Sequence, residues 1–306
     1  MIAERTDARI ESPLPADPGE RRLSRPAAFA ALAKLRISAL VLISTAVGYL
    51  VSAPGPVEPL VLGAALLGTA LTAAGANALN QVLERELDAR MARTRGRPLP
   101  TGQLGTLEAS LFGAAVTVLG TALLWVEVNP LTAALAFLTV VVYAFVYTPL
   151  KRRTPLCTLV GAIPGATPPV MGITAATGAL GEPALWLFLI VFAWQMPHFY
   201  AIAWIYRDDY RRGGFPMLPV VDRRGVRTAV ESIGFVLLML AASVAPAWRG
   251  DAGTAYLVAA LALGGVFTAT VVRFSLRPSR VAARQVFVTS IVHLPLLLGM
   301  IVLDWA

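Results

Sequence analysis

A bundle of nine membrane-spanning helices is the fold class this sequence predicts, and three observations carry the expectation. The 306-residue chain is 57% hydrophobic with a mean hydropathy of +0.68, and only 14% of its residues are charged, a balance far from that of a soluble domain. Nine apolar runs are each long enough to cross about 30 Å of hydrocarbon. The basic residues divide between the two sides that nine spans create in a ratio of 25 to 1, as expected when short cytoplasmic loops collect Lys and Arg.

The expected elements follow in order. Residues 1–30 read as a disordered cytoplasmic tail, with five Arg against five Asp or Glu over 1–26 and several prolines but no apolar core. A single transmembrane domain then fills 31–306. Its spans lie near 35–54, 59–82, 107–126, 130–148, 156–176, 184–206, 228–247, 253–272 and 285–303. A helical bundle is required because backbone exposed to lipid must satisfy its own hydrogen bonds. Seven basic residues fall at or before Arg36, five in 85–97, three in 151–153, six in 207–227 and four in 273–284, leaving Arg249 alone on the other side. The N-terminus is therefore expected in the cytoplasm. The formal charge of +8 reads first as a topology signal, and no nucleic-acid partner is expected. Cys157, the one cysteine, excludes an intramolecular disulfide and a cysteine-built metal cluster.

The connections after the second and sixth spans are long and polar, which directs the search for chemistry to that side. In the first, Asn80, Glu84 and Asp88 recur every four residues and so share one drifting helix face over about 12 Å. Oxygen ligands in this arrangement suit Mg²⁺ held through carboxylates and substrate phosphates. Arg93, Arg95 and Arg97 follow, with Pro98 and Pro100 expected to end the helix. Arginines beside a carboxylate stripe suit a metal-bound polyphosphate. Taken alone, the same run also fits a solvated helix end laced by local ion pairs.

The second connection strengthens the site reading. Residues 192–215 hold eight of the chain's 25 aromatics, then Asp208 and Asp209, then Arg211 and Arg212. The aromatic rings could line a groove for an extended apolar substrate or face a developing carbocation, although Trp and Tyr also gather at membrane interfaces. Adjacent aspartates on a helix point about 100° apart, which leaves one of the two free to serve only in orienting an arginine. Pro197 is expected to open the sixth span near Ala193, beside the intramembrane Gln195 and His198. Pro164, Pro168 and Pro169, with Gly161 and Gly165, argue for a broken or kinked fifth span lining a cavity. Lys151, Arg152 and Arg153 lie within reach of phosphate oxygens or answer the positive-inside rule alone.

The segments Asn80-x3-Glu84-x3-Asp88, YTPLKRRT, GAIPGATPP and WQMPHFYAIAWIYRDDYRRGGFPMLP together resemble the UbiA superfamily of intramembrane prenyltransferases, and within it the heme-modifying branch, over about residues 30–305. The resemblance implies a nine-helix bundle with a lateral opening to lipid and Mg²⁺ held through diphosphate by two acidic regions. It implies that farnesyl diphosphate and heme b are joined with addition of water to give heme O, in the bacterial plasma membrane, upstream of a heme A synthase. Asn80, Glu84, Asp88, Asp208 and Asp209 match its catalytic and metal positions, and Arg93, Arg97, Lys151 and Arg152 its basic positions. Tyr147, His198 and Tyr200 are expected substrate contacts, while Lys34 and His293 are assigned no role. Two other readings of the same residues are a superfamily transferase acting on an aromatic quinone precursor and a non-enzymatic transporter or assembly factor.

Overall fold

The computed structural model describes residues 23–305. It contains thirteen α-helices and one π-helical turn, with no strand among the described residues beyond an isolated bridge between Ala252 and Trp305. Eight helices are long and apolar enough to cross a membrane: α3 (Pro59–Asp88), α4 (Thr106–Glu127), the stretch Pro130–Leu150, α7 (Cys157–Thr177), α8 (Glu182–Ile205), α11 (Val226–Arg249), α12 (Thr254–Leu276) and α13 (Arg280–Leu303). The stretch Pro130–Leu150 comprises α5 (Pro130–Val141), the π-helical turn Val142–Tyr147 and α6 (Thr148–Leu150). The first expected span is a bent pair, α1 (Arg25–Ala33) and α2 (Leu35–Leu50), which makes a ninth crossing only if the pair counts as one.

The expected tail over 1–30 falls mostly on residues 1–22, outside the described residues. Its end differs from expectation, because residues 25–30 belong to α1. Leu23 N–H donates to Gln103 Oε1 at 2.8 Å and Arg25 pairs with Glu108, so α1 is tied to the segment leading into α4.

Local signals set several helix ends. Pro59 and Pro130 occupy first-turn positions, where a missing N–H costs nothing. Asn129 caps α5 through Thr132 N–H at 2.8 Å and donates to Thr174 O at 2.7 Å, which also ties α5 to α7. Gly178 (φ 70°) and Gly250 (φ 86°) end α7 and α11 in the left-handed conformation that glycine adopts without strain.

The central helix is α7, with 67% of its apolar window buried, more than any other span. Of the expected break or kink, the break is absent: α7 runs on as one helix through Pro164, Pro168 and Pro169, and α8 runs on through Pro197. A Cβ at Gly48 would fall 2.0 Å from Pro169 O, and one at Gly172 would fall 1.9 Å from Thr45 O, so α2 and α7 touch backbone to backbone. The glycines of GAIPG play a different part. Gly161 leaves room for the Tyr147 ring and Gly165 for the Gln195 amide.

Short helices α9 (Arg207–Arg212) and α10 (Leu218–Val221) fill the connection between α8 and α11. They meet the turns that follow α3 at one end of the bundle, hereafter the loop face.

Candidate active site at the loop face

Three buried polar residues begin the site. Asn80, Glu84 and Asp88 are 2%, 2% and 1% exposed, so the four-residue spacing places them on the covered side of α3. This excludes the solvated-helix-end reading for these three.

Each is held by a residue distant in sequence. Asn80 Nδ2 donates to Thr148 Oγ1 at 2.9 Å, and that hydroxyl donates in turn to Tyr143 O at 2.8 Å within the π-helical turn. The wider turn thus offers a carbonyl to Thr148, consistent with π-bulges gathering at functional sites. Glu84 pairs with Lys151, whose Nζ lies 2.8 Å from Oε1 and 3.1 Å from Oε2. Asp88 Oδ2 accepts from Arg97 Nη1 at 2.6 Å.

The last contact exists because α3 ends at Asp88 and not at the prolines ten residues later. Residues 89–105 form successive turns, and Thr94 Oγ1 donates to Asp88 O at 2.9 Å. The chain therefore wraps around the helix end and returns Arg97 to the carboxylate it has just passed.

The second acidic motif arrives on α9. Asp209 is 8% exposed; its Oδ1 accepts from Ala92 N–H at 3.3 Å and pairs with Arg212. Tyr210 beside it accepts from Arg93 Nη2 at 3.3 Å. These contacts span 117 residues and join the two motifs into one site.

Aromatic rings here serve the cations. Lys151 Nζ sits 5.3 Å from the Tyr147 ring centre and 5.0 Å from that of Phe215, and the Arg93 guanidinium lies 5.3 Å from the Tyr206 ring and 5.6 Å from the Tyr210 ring. Such π faces fix a cation without neutralising it. Burial alone would push the Lys151 ammonium down, but the Glu84 carboxylate, helped by Tyr147 and Tyr210, outweighs burial and holds it well above the ordinary 10.5.

A neighbour assigned no role from sequence also belongs here. Lys34 is the one non-glycine residue with positive φ (52°) among the described residues, and it forms the break between α1 and α2. The α1 carbonyls freed by that break are taken up from α3, Leu32 O by Gln81 Nε2 at 2.7 Å and Ala33 O by Asn77 Nδ2 at 3.4 Å. Lys34 thereby comes within electrostatic range of Glu84, Asp88, Arg97 and Lys151. A lysine held in a sparsely populated conformation at an acidic cluster is a signal that sequence does not carry.

Four expected residues lie elsewhere. Asp208 does not join Asp209: its side chain is 48% exposed and pairs outward with Arg211 at 3.0 Å and Arg280 at 3.2 Å. Arg152 donates to Leu83 O at 2.5 Å and lines an outer pocket of about 180 Å³ with Leu83, Thr148, Pro149 and Arg153. Tyr200 is buried and committed to Glu231, which also accepts from Arg227 at 2.7 Å. His198 stacks between Trp194 (4.9 Å) and Phe287 (5.2 Å) with Nδ1 2.7 Å from Ser290 Oγ, making a separate cluster on α8 and α13.

The carboxylates fit a divalent cation in one respect and refuse it in another. Asp88 Oδ1 is buried and accepts no hydrogen bond, a state that a hard cation would relieve. Among the described residues, however, no three Asp, Glu, His or Cys side chains converge to hold a metal unaided. Of the five expected metal residues, Asn80, Glu84, Asp88 and Asp209 are buried at this end of the bundle, and Asp208 is turned outward.

Comparison with known proteins gives a consistent result. The UbiA prenyltransferase family matches residues 41–294. A protoheme IX farnesyltransferase of Solibacter usitatus is 45% identical over 282 residues, covering 89% of this chain and 97% of its own. The enzyme of the same name from Koribacter versatilis is 42% identical over 286 residues, covering 90% and 92%. Among solved structures, digeranylgeranylglyceryl phosphate synthase superposes with a TM-score of 0.78 at 18% identity over 92% of this chain and 99% of that one. A UbiA homologue from Archaeoglobus fulgidus, bound to GPP and Mg²⁺, does so with a TM-score of 0.61 at 13% identity over 90% and 99%. The two superpositions show the fold.

Proposed function

The chain belongs to the UbiA prenyltransferase family, and on that premise we propose that it transfers the farnesyl group of farnesyl diphosphate to a vinyl group of heme b, with addition of water, to give heme O and diphosphate. The name shared by its relatives at 40–45% identity supports the acceptor and the donor. The observation that carries the site assignment is the meeting of two carboxylate-and-cation clusters from separate motifs, Asp209 on Ala92 N–H and Arg93 on Tyr210, above buried Glu84 and Asp88.

In this reading Arg93, Arg97 and Lys151 take the charge of the diphosphate. Their aromatic supports, Tyr206 and Tyr210 for Arg93, Tyr147 and Phe215 for Lys151, orient them before substrate arrives. Preorganised cations stabilise a leaving anion without the cost of reorganisation. Glu84, Asp88 and Asp209, with Asn80, would hold Mg²⁺ together with phosphate oxygens. Bound there, the ion would supply further neutralisation of the departing diphosphate. Arg97 and Lys151 pair with Asp88 and Glu84, so binding would be an exchange in which the cations turn to phosphate and free the carboxylates that would hold the metal.

The carbon–oxygen bond of the donor breaks with its electron pair leaving on diphosphate. The vinyl π electrons form the new carbon–carbon bond, and water fills the remaining cationic carbon and gives up a proton. A charged donor head at the loop face and two apolar partners within the bundle account for the reaction's membrane setting. The 25 to 1 division of basic residues supports a cytoplasmic position for the loop face in a bacterial plasma membrane, with the product passing to a heme A synthase.

The test is to reconstitute the full chain in lipid nanodiscs with heme b, farnesyl diphosphate and MgCl₂ and to identify the product by mass. Heme O is expected, its formation stopped by chelation and reduced at least about a hundredfold by Asp88→Asn with the bundle still folded. Prenylation of hydroxybenzoate with no heme O, or wild-type turnover in Asp88→Asn, would overturn the proposal.

A further inference from the structure

A second basic site lies behind α9, outside the machinery described above. A cavity of about 440 Å³ opens at the loop face, lined by Arg207, Arg211, Pro219, Val220 and Arg223. On a helix of about 100° per residue, positions 207 and 211 lie about 40° apart and both nearly opposite position 209. Helix α9 is therefore a partition, with Asp209 turned to the reaction site and two arginines turned to this cavity.

Two of the three arginines are held in place. The Arg207 guanidinium sits 5.2 Å from the ring centre of Trp204, itself 7% exposed and packed edge-on against Phe274. Arg211 is fixed by Asp208 at 3.0 Å, and the same carboxylate holds Arg280 at 3.2 Å. Arg211 and Arg280 thus share one carboxylate, while neither Arg207 nor Arg223 has an ion pair among the described residues. The positive-inside rule accounts for arginines on this side but not for three of them lining one cavity, one stacked on a buried indole.

Depth identifies the ligand. Arg207 comes two residues after the α8 span ends at Ile205, Arg223 three residues before the α11 span begins at Val226, and Arg280 opens the α13 span. The cavity therefore lies at the level of lipid headgroups, beside an interfacial tryptophan. Phosphate is the group that planar arginine forks engage best, and basic pockets between spans at this level take anionic headgroups.

We propose that this cavity binds the phosphate of an anionic phospholipid. A headgroup there would brace α9 from the side opposite Asp209.

Native mass spectrometry of the full chain, titrated with phosphatidylglycerol or phosphatidylcholine, tests the site without reading catalysis. The wild type is expected to prefer phosphatidylglycerol, and Arg207→Gln/Arg223→Gln to lose roughly thirtyfold in that affinity, about fivefold for each charge removed. Arg207→Lys/Arg223→Lys, folded like the wild type by thermal melting, should keep most of it. Equal binding of the two lipids, or undiminished phosphatidylglycerol binding in the glutamine variant, overturns the proposal. Displacement of the lipid by millimolar inorganic phosphate also overturns it, by showing a site for free anions.

Discussion

Replacing Lys151 by glutamine leaves Glu84 buried without its counter-charge, and the structure sets the scale of the loss. At the 2.8 Å separation of Nζ and Oε1, Coulomb attraction with an effective dielectric near 20 is about 6 kcal/mol. Part of that is offset because a buried ammonium no longer has to be desolvated. The side chains are 13% and 3% exposed, so solvent screens the pair little, and breaking it from one side should cost about 3–5 kcal/mol. For a domain of this size that corresponds to roughly 6–20 °C in melting temperature. Glu84→Gln/Lys151→Gln should recover most of the stability, since two amides leave no buried charge, but none of the turnover. The pH dependence follows from the raised pKa of Lys151. A group whose folded value lies above its unfolded one stabilises fully below the unfolded value, here 10.5, and loses that contribution as pH rises through the folded value. The pair's contribution should therefore be flat through neutral pH and disappear only in strong alkali. Melting curves in detergent at pH 7, 9 and 11 measure both effects. A Lys151→Gln melt within about 2 °C of wild type, or a double variant no more stable than the single, would refute the argument.

Three further outcomes follow from the same geometry. Asp209→Asn should reduce heme O formation by about a hundredfold or more, whereas Asp208→Asn, on an exposed outward pair, should stay within about threefold; equal effects would return Asp208 to the site. Gly161→Ala should raise the KM for farnesyl diphosphate about tenfold, because its Cβ would meet Tyr147 Cε2 at 2.6 Å and push the ring off Lys151; unchanged kinetics would deny the ring its part. Thr148→Val removes the acceptor of the Asn80 amide and should cost about 1–3 kcal/mol together with weaker Mg²⁺ dependence, read by melting and by metal titration.

The stripe Asn80, Glu84 and Asp88 was legible because all three sit on one helix, where spacing alone fixes direction. The pairing of Asp88 with Arg97 is only nine residues long, yet it was hidden, because it depends on α3 stopping at Asp88 and the chain turning back. Adjacent aspartates showed that two directions exist but not which of them faces the site; Arg211 and Arg280 decided that for Asp208. Tyr200 looked available until Glu231, 31 residues later, took its hydroxyl. Proline content suggested a broken or kinked α7 and an opening in α8, yet both continue as single helices through their prolines.

Sequence by itself determined the membrane setting, the apolar spans, the division of charge and which residue types could bind a metal diphosphate, because hydropathy, charge count and helical period are properties of short stretches. Tertiary structure alone decided that Lys34 enters the site through a left-handed turn, that aromatics brace cations, that Arg152 and Asp208 stand outside, and that α9 separates two basic sites. Each of these rests at least in part on contacts between segments tens of residues apart, whose energy depends on distance and burial that no local pattern records.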